Sequence, residues 1–174
     1  MPSSVTTIEI SEIETTTAYG FVINGVDASD ESGFSISNAG DVNGDGLDDL
    51  IVGAASADAN SLSSGSSYVV FGTTDTSAIE LEDIEAGTGN GFVINGVDSS
   101  DYSGTSVSAA GDVNGDGLDD IIVGAWGADP NGNSSSGSSY VVFGTTDTSA
   151  IELSDIESDA IKTLTTITGN GYVF

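Results

Sequence analysis

The feature that most constrains this chain is an internal repeat. An acidic, glycine-rich phrase runs into an apolar stretch twice, as GDVNGDGLDDLIVGAA and GDVNGDGLDDIIVGAW. The repeated pairs are 40–55 with 111–126, 20–30 with 91–101, and 64–81 with 136–153. The offset is 71 residues for the first two pairs and 72 for the third. A repeat of this kind indicates tandem structural units that stack on one another.

Each repeat is predicted to hold four short strands. Runs rich in Val, Ile, Phe and Tyr are bounded by Gly, Asp, Asn and Ser, which is typical of strands joined by turns. The predicted strands are 32–40, 49–54, 67–72 and 91–96, then 103–111, 120–125, 139–144 and 171–174, with a further outer strand at 20–25. The second strand of each repeat is almost continuously apolar and is expected to be buried on both faces. No sustained helical period is present, and AIELEDIE at 78–85 is expected to be a loop or a brief strand.

Tandem four-stranded antiparallel units predict an all-β fold built from β-propeller blades. The whole chain, 1–174, is read as one propeller segment. It has an N-terminal outer strand at about 20–25, repeat 1 at about 32–96 and repeat 2 at about 103–174. Because propellers close with about 4–8 blades, two blades form a partial propeller. We favour an excerpt of a longer protein; the alternative is a ring closed by oligomerisation.

The second repeat carries an insertion. Ile151 to Gly171 spans 20 residues, whereas Ile79 to Gly91 spans 12, so 8 residues are added around Lys162. Loop-length variation between blades is the preferred interpretation, and an elaboration that faces a partner is the alternative.

Charge excludes several classes of function. The chain has 28 acidic residues, one Lys or Arg and no His, for a net charge of −27. Such a surface repels nucleic acid and anionic membranes, and no apolar run is long enough for membrane insertion. Without His, Cys or Arg the usual base, thiol nucleophile and anion clamp of an enzyme are missing, so no enzyme is expected. A glycosidase would use paired carboxylates, and the adjacent acids are Asp48 with Asp49 and Asp119 with Asp120, but a calcium loop explains both pairs better.

The acidic phrase predicts a calcium loop. Oxygen ligands fall at alternate positions 1, 3, 5, 7 and 9 of DVNGDGLDD, and position 7 offers a backbone carbonyl. The candidate ligands are Asp41, Asn43, Asp45, Leu47 and Asp49 in repeat 1, and Asp112, Asn114, Asp116, Leu118 and Asp120 in repeat 2. An all-oxygen set suits Ca²⁺, which takes 6–8 oxygens, better than Mg²⁺ or Zn²⁺. Two Ca²⁺ sites are therefore expected.

Two alternative interpretations of the loop are less favoured. A plain Asx-turn between strands also uses these residues, but two full copies favour the metal. An EF-hand needs Glu at position 12, where Val52 and Val123 stand. The loop glycines are expected to adopt positive φ, and Asp48 and Asp119 are expected to face solvent.

The strings GFSISNAGDVNGDGLDDLIVGA and GTSVSAAGDVNGDGLDDIIVGA resemble the FG-GAP repeat of integrin α-chain propellers and their bacterial relatives. The resemblance implies that each repeat is a propeller blade and that its acidic loop binds Ca²⁺ through the ligands named above. The Phe-Gly and Gly-Ala-Pro signatures are reduced here, to Gly33-Phe34 and Gly104-Thr105, and to Gly53-Ala54-Ala55 and Gly124-Ala125-Trp126. The near-identity of the two copies looks more like a bacterial surface or secreted repeat protein than an animal receptor.

Three functions are compatible with these features. A non-enzymatic, calcium-binding module for extracellular or cell-surface adhesion is expected, with a protein or glycan ligand at the variable stretches 55–64 and 126–137. The alternatives are an accessory segment of a larger secreted hydrolase and a calcium-stabilised structural spacer. Neighbouring blades, from a longer chain or from self-association, are expected partners. Trp126 is expected to pack between blades.

Overall fold

The computed structural model describes residues 20–161 and 171–173. In chain order the strands are β1 (Ile23–Asn24), β2 (Ser32–Gly40), β3 (Asp49–Ala54), β4 (Ser66–Val70), β5 (Ile79–Glu80), β6 (Gly91–Asn95), β7 (Ser103–Gly111), β8 (Asp120–Ala125), β9 (Ser138–Val142), β10 (Ile151–Glu152) and β11 (Gly171–Val173). The helices are α1 (Leu81–Glu85) and α2 (Leu153–Ile161), with a short 3-10 turn at Pro130–Gly132.

Each repeat contributes four antiparallel strands to a sheet, and β10 adds a fifth, parallel strand to the sheet of repeat 1. The order is β6-β4-β3-β2 in repeat 1 and β11-β9-β8-β7 in repeat 2. Equivalent residues pair in the same register, since Val52 faces Tyr68 and Val123 faces Tyr140. The predicted all-β class with blade-like units is confirmed. The two sheets do not form a closed barrel.

Strand ends differ slightly from the predictions. The third strands end at Val70 and Val142, two residues earlier than predicted. The reason is that the N–H groups of Gly72 and Gly144 donate to the carboxylates of Asp49 and Asp120 instead of to a neighbouring strand. The N-terminal outer strand is confined to Ile23–Asn24. The second strands are largely buried, as predicted, with Leu50 the main exception.

The AIELEDIE segment combines a brief strand and a helix. β5 pairs in parallel with β1, and β10 does the same with β6, so each segment crosses to the outer strand of the preceding unit. Helix α1 was not predicted, because only Leu81 and Ile84 are buried and one apolar pair is too little to show a helical period. In repeat 2 the helix continues to Ile161, so part of the insertion lengthens a helix. Lys162 lies outside the described residues.

The main core lies between the two sheets. One face of repeat 1 contributes Ile51, Val69 and Phe92, and the opposing face of repeat 2 contributes Ile121 and Val123. All five side chains are fully buried. Burial of each such side chain stabilises by roughly 1.5–3 kcal/mol, so the repeats depend on each other for a core. A second cluster, which includes Val52, Tyr68 and Leu81, lies on the opposite face of repeat 1.

Backbones approach closely where β3 meets β7. A β-carbon at Gly53 would lie 2.1 Å from the Gly104 carbonyl oxygen, and this contact leaves room only for glycine. At the equivalent Gly124 the nearest such atom is the Ser106 hydroxyl oxygen, which can rotate away.

This contrast predicts different effects of the same substitution. Gly53→Ala should lower the free energy of unfolding by about 1–3 kcal/mol, because a backbone carbonyl must move. Gly124→Ala should change it by less than about 0.5 kcal/mol. Urea unfolding of both variants in dilute solution checks the prediction, and equal losses at the two positions would contradict the packing described here.

Candidate metal centre

The candidate ligands lie in two equivalent loops, one between β2 and β3 and the other between β7 and β8. Gly44 and Gly46 have φ of 76° and 87°, and their counterparts Gly115 and Gly117 have 78° and 95°. The predicted positive φ at these glycines is confirmed. These conformations are unfavourable for other residues, and they let the loop curl around its first aspartate.

Asp41 organises the first loop through its carboxylate. Its Oδ1 accepts N–H bonds from Gly44 (2.8 Å) and Asp45 (3.0 Å), and its Oδ2 accepts one from Gly46 (3.0 Å). A carboxylate has about four acceptor sites, so one site on Asp41 is left for another donor or a cation.

Asn43 and Asp45 complete the curl. The Asn43 Oδ1 accepts from the Asp45 N–H at 2.8 Å, and its amide nitrogen donates to Asp45 Oδ2 at 3.1 Å. Asp45 Oδ1 accepts from the Leu47 N–H at 2.8 Å. Positions 1, 3 and 5 are thus linked, because the Asp45 N–H donates to the side chains of both Asp41 and Asn43, and the N–H of position 7 binds the side chain of position 5.

Asp49, at position 9, is fully buried and acts on the strands as well as the loop. Its Oδ2 accepts from the Val42 N–H (2.8 Å) and its Oδ1 from the Gly72 N–H (2.7 Å). Burial raises the pKa of this carboxyl above its ordinary value, the two N–H bonds oppose that shift, and the charges of Asp45 and Asp41 add to it. The sequence analysis did not predict this pair of hydrogen bonds to Asp49. The glycine after each third strand, Gly72 or Gly144, was the only signal of it in the sequence.

The second loop repeats the first almost bond for bond. Asp112 Oδ1 accepts from Gly115 (2.7 Å) and Asp116 (3.1 Å), and its Oδ2 accepts from Gly117 (3.0 Å). Asn114 bonds Asp116 through its Oδ1 and its amide nitrogen, and Asp116 accepts from Leu118 at 2.9 Å. Asp120 is fully buried and accepts from Val113 (2.8 Å) and Gly144 (2.9 Å).

The two loops also touch each other. The Asp41 N–H donates to Asp119 Oδ2 at 2.9 Å, and the Asp119 N–H donates to the Asp41 carbonyl at 3.1 Å. The expectation that Asp119 faces solvent is therefore wrong, because repeat 1 packs against it. Its counterpart Asp48 is exposed, as expected. The two positions carry the same residue type, so the local sequence held no signal for the difference.

The donor set fits Ca²⁺ by its chemistry, since every side-chain ligand is a carboxylate or amide oxygen with acceptor capacity left over. Across 20–161 and 171–173, however, no three acidic side chains converge closely enough to hold an ion. Backbone N–H groups take up part of the charge of each carboxylate. Calcium binding by these loops therefore stays a prediction.

Trp126 corrects another expectation. Its side chain is 58% exposed, and its ring stacks on Tyr102 of the same repeat at a centroid distance of 5.3 Å. Trp126 is not a member of the core cluster between the two repeats, and its counterpart in repeat 1 is the small residue Ala55.

Comparison with known proteins matches these units. The model of the FG-GAP repeat matches residues 32–70 and 103–142. The chain carries two FG-GAP repeats. Each match begins with the first strand of a sheet and ends in or beside the third, so both acidic loops lie inside an FG-GAP repeat.

Two curated relatives match part of this chain. Integrin alpha pat-2 of Caenorhabditis briggsae is 39% identical over 100 residues, and that of Caenorhabditis elegans is 37% identical over the same length. Each alignment covers 54% of this chain and 7% of the relative. The likeness is therefore to a small part of a much longer protein.

The buried clamp can be tested apart from metal. Asp49→Asn leaves one oxygen to serve two N–H donors, so one donor loses its partner. Relief of the buried charge offsets part of this cost, and we expect a net loss of about 1–2 kcal/mol in the free energy of unfolding. Asp48→Asn, at the exposed neighbour, should change it by less than about 0.5 kcal/mol. Denaturant unfolding in excess chelator measures the free energy of unfolding of both variants. Equal losses in the two variants would contradict a stabilising role for the hydrogen bonds that Asp49 accepts.

Proposed function

We propose that this chain is a non-enzymatic, calcium-binding module of a cell-surface or secreted protein, and that it serves adhesion or protein–protein contact. The observation that carries the proposal is the pair of FG-GAP repeats with intact acidic loops. The relatives named integrin alpha support an extracellular setting and a binding role. No helix in the described ranges has the length and apolar character to span a bilayer.

Electrostatics supports the calcium part of the proposal. Four carboxylates lie within nine residues, and the three that are candidate ligands repel one another, a cost that a divalent cation would remove. Asp41, Asn43, Asp45, Asp49 and the carbonyl of Leu47 would hold the ion in repeat 1, with the equivalent set in repeat 2. When bound, calcium would neutralise charge and fix the loop that leads into β3. An affinity of about 10⁻⁴–10⁻³ M, as in other extracellular modules, is expected.

Calcium titration tests the metal sites. Because a cation that binds only the folded chain stabilises it, millimolar Ca²⁺ should raise the melting temperature and excess chelator should lower it. Calorimetry should find two sites in the unchanged chain and one in Asp45→Asn or Asp116→Asn. Asp75→Asn removes an exposed carboxylate outside both loops and should keep two sites.

The high net charge makes a specificity control necessary, because any divalent ion will gather near a surface of −27. The titration should therefore be repeated with Mg²⁺ and with about 0.5 M NaCl, which screens diffuse attraction. If the ion binds in the loops, the stabilisation should persist in this salt and should be larger for Ca²⁺ than for Mg²⁺. Equal stabilisation by both ions, or its loss in salt, would show diffuse binding only.

Adhesion needs its own experiment. The immobilised chain should retain a protein or glycan from extracellular fluid in calcium and release it into chelator. The double variant Asp45→Asn/Asp116→Asn is the matched control and should retain nothing. If the unchanged chain retains no ligand under either condition, the binding role is wrong and a structural spacer is favoured.

A further inference from the structure

We infer that acid pH tightens the contact between the linker that joins the two repeats and a loop of repeat 1, and that the titrating group is the Asp101 carboxyl. The linker is defined as residues 96–103, and the covering loop as residues 62–65. Neither segment contains a residue of the acidic loops, so calcium binding is not required.

Backbone hydrogen bonds close the contact. Four N–H groups of the linker donate to four carbonyl groups of the covering loop: Gly96 to Gly65 (2.8 Å), Ser100 to Leu62 (2.9 Å), Tyr102 to Ser63 (3.2 Å) and Ser103 to Ser64 (3.0 Å). Every donor lies on the linker, and every acceptor lies on the covering loop. Separation of the two segments would therefore release all four N–H groups to water, and their hydrogen exchange reports the opening.

Asp101 is buried beside this contact. It lies between Ser100 and Tyr102, which both donate to the covering loop, and the residue is only 6% exposed. Its Oδ2 accepts the Asp98 N–H at 3.0 Å. The counterpart in repeat 1, Asp30, makes the equivalent bond at 3.2 Å but is only partly buried. Opening of the contact would therefore expose the Asp101 carboxyl to water.

Other acids face Asp101 from the neighbouring elements. In repeat 1 the equivalent side chains line one cavity of about 400 Å³, which shows that these positions converge: Asp27, Asp30, Asp58, Tyr68 and Glu85. Their counterparts in repeat 2 are Asp98 and Asp101 on the linker, Asp129 after β8, Tyr140 on β9 and Glu157 on α2. The Tyr140 hydroxyl donates to Glu157 Oε1 at 2.5 Å and carries no charge at neutral or acid pH. The covering loop has no titratable side chain.

The charge of Asp101 opposes the closed contact. Burial raises the pKa of the Asp101 carboxyl above its ordinary value, and the N–H bond from Asp98 opposes that shift. The negative charges of Asp98, Glu157 and Asp129 raise the pKa further. In the opened contact, water would restore the ordinary pKa. Closing therefore takes up a proton, so the contact strengthens as pH falls through the raised pKa and levels off below about pH 4, where the carboxyl is protonated in both states.

Amide hydrogen exchange tests the inference. It is measured by NMR on the chain in excess chelator at about pH 7 and about pH 4.5, and each rate is compared with that of an unstructured peptide at the same pH. The protection of the four linker amides should rise at least about threefold at the lower pH, relative to the amides of β4 in the core. Linker protection that does not change relative to β4 would overturn the inference.

Asp101→Asn removes the titrating group but keeps an oxygen for the Asp98 N–H. At about pH 7 its linker amides should be as protected as those of the unchanged chain at about pH 4.5, and the response to pH should be lost. Asp30→Asn is the matched control at the equivalent position of repeat 1, and it should keep the full response. An undiminished pH response in Asp101→Asn would point to general loss of surface charge and would contradict a role for Asp101.

The coupling must also work in reverse, because linkage is reciprocal. A β-carbon at Gly96 would lie 2.1 Å from the Ser64 carbonyl oxygen, so Gly96→Ala should push the covering loop off the linker. In this variant the Asp101 carboxyl, followed by carbon NMR, should titrate at a lower pH than in the unchanged chain. The same titration in both, with Gly96→Ala verified as folded by thermal melting, would also overturn the inference. If Gly96→Ala does not fold, the comparison of Asp101→Asn with Asp30→Asn decides alone.

Discussion

The structure depends on one buried carboxylate in each repeat. Asp49 and Asp120 stand at the first position of the second strand, where both oxygens accept backbone N–H groups. One bond comes from the start of the acidic loop, at Val42 or Val113. The other comes from the glycine that follows the third strand, Gly72 or Gly144. The start of the loop, the second strand and the end of the third strand are thus joined at one carboxylate. The loop can therefore be acidic and glycine-rich without losing its place on the sheet.

This arrangement explains why the repeat tolerates so much negative charge. The first aspartate of each loop also meets three N–H donors, so the carboxylates are compensated by backbone dipoles rather than by cationic side chains. Hydrogen bonds to a charged acceptor contribute about 1.5–3 kcal/mol each, roughly twice a neutral bond. A chain with one Lys or Arg against 28 acids could not form the equivalent ion pairs.

The sequence predicted the structure best where the same residue pattern occurs in both repeats. The strands β2, β3, β7 and β8 and the positive φ of the loop glycines followed from residue pattern alone. The sequence analysis did not predict α1, because two buried apolar side chains on a single turn are too few to show a helical periodicity. It also failed at Asp119 and Trp126, because their surroundings depend on which side of the repeat has a neighbour. Asp48 and Asp119 are the same residue type in the same local sequence, but Asp48 is exposed and Asp119 contacts the other repeat. A local sequence pattern cannot predict this difference.

Asp41 links the loop to the packing of repeats. Its carboxylate holds the loop, while its own N–H and carbonyl make the pair of bonds to Asp119. A change that loosens the loop therefore removes hydrogen bonds from the contact between repeats, and a neighbouring repeat in turn orders the loop. In a stack of such units each loop is supported from one side by the next repeat. The first loop therefore has support from Leu118 and Asp119 of repeat 2 in addition to the hydrogen bonds of its own backbone.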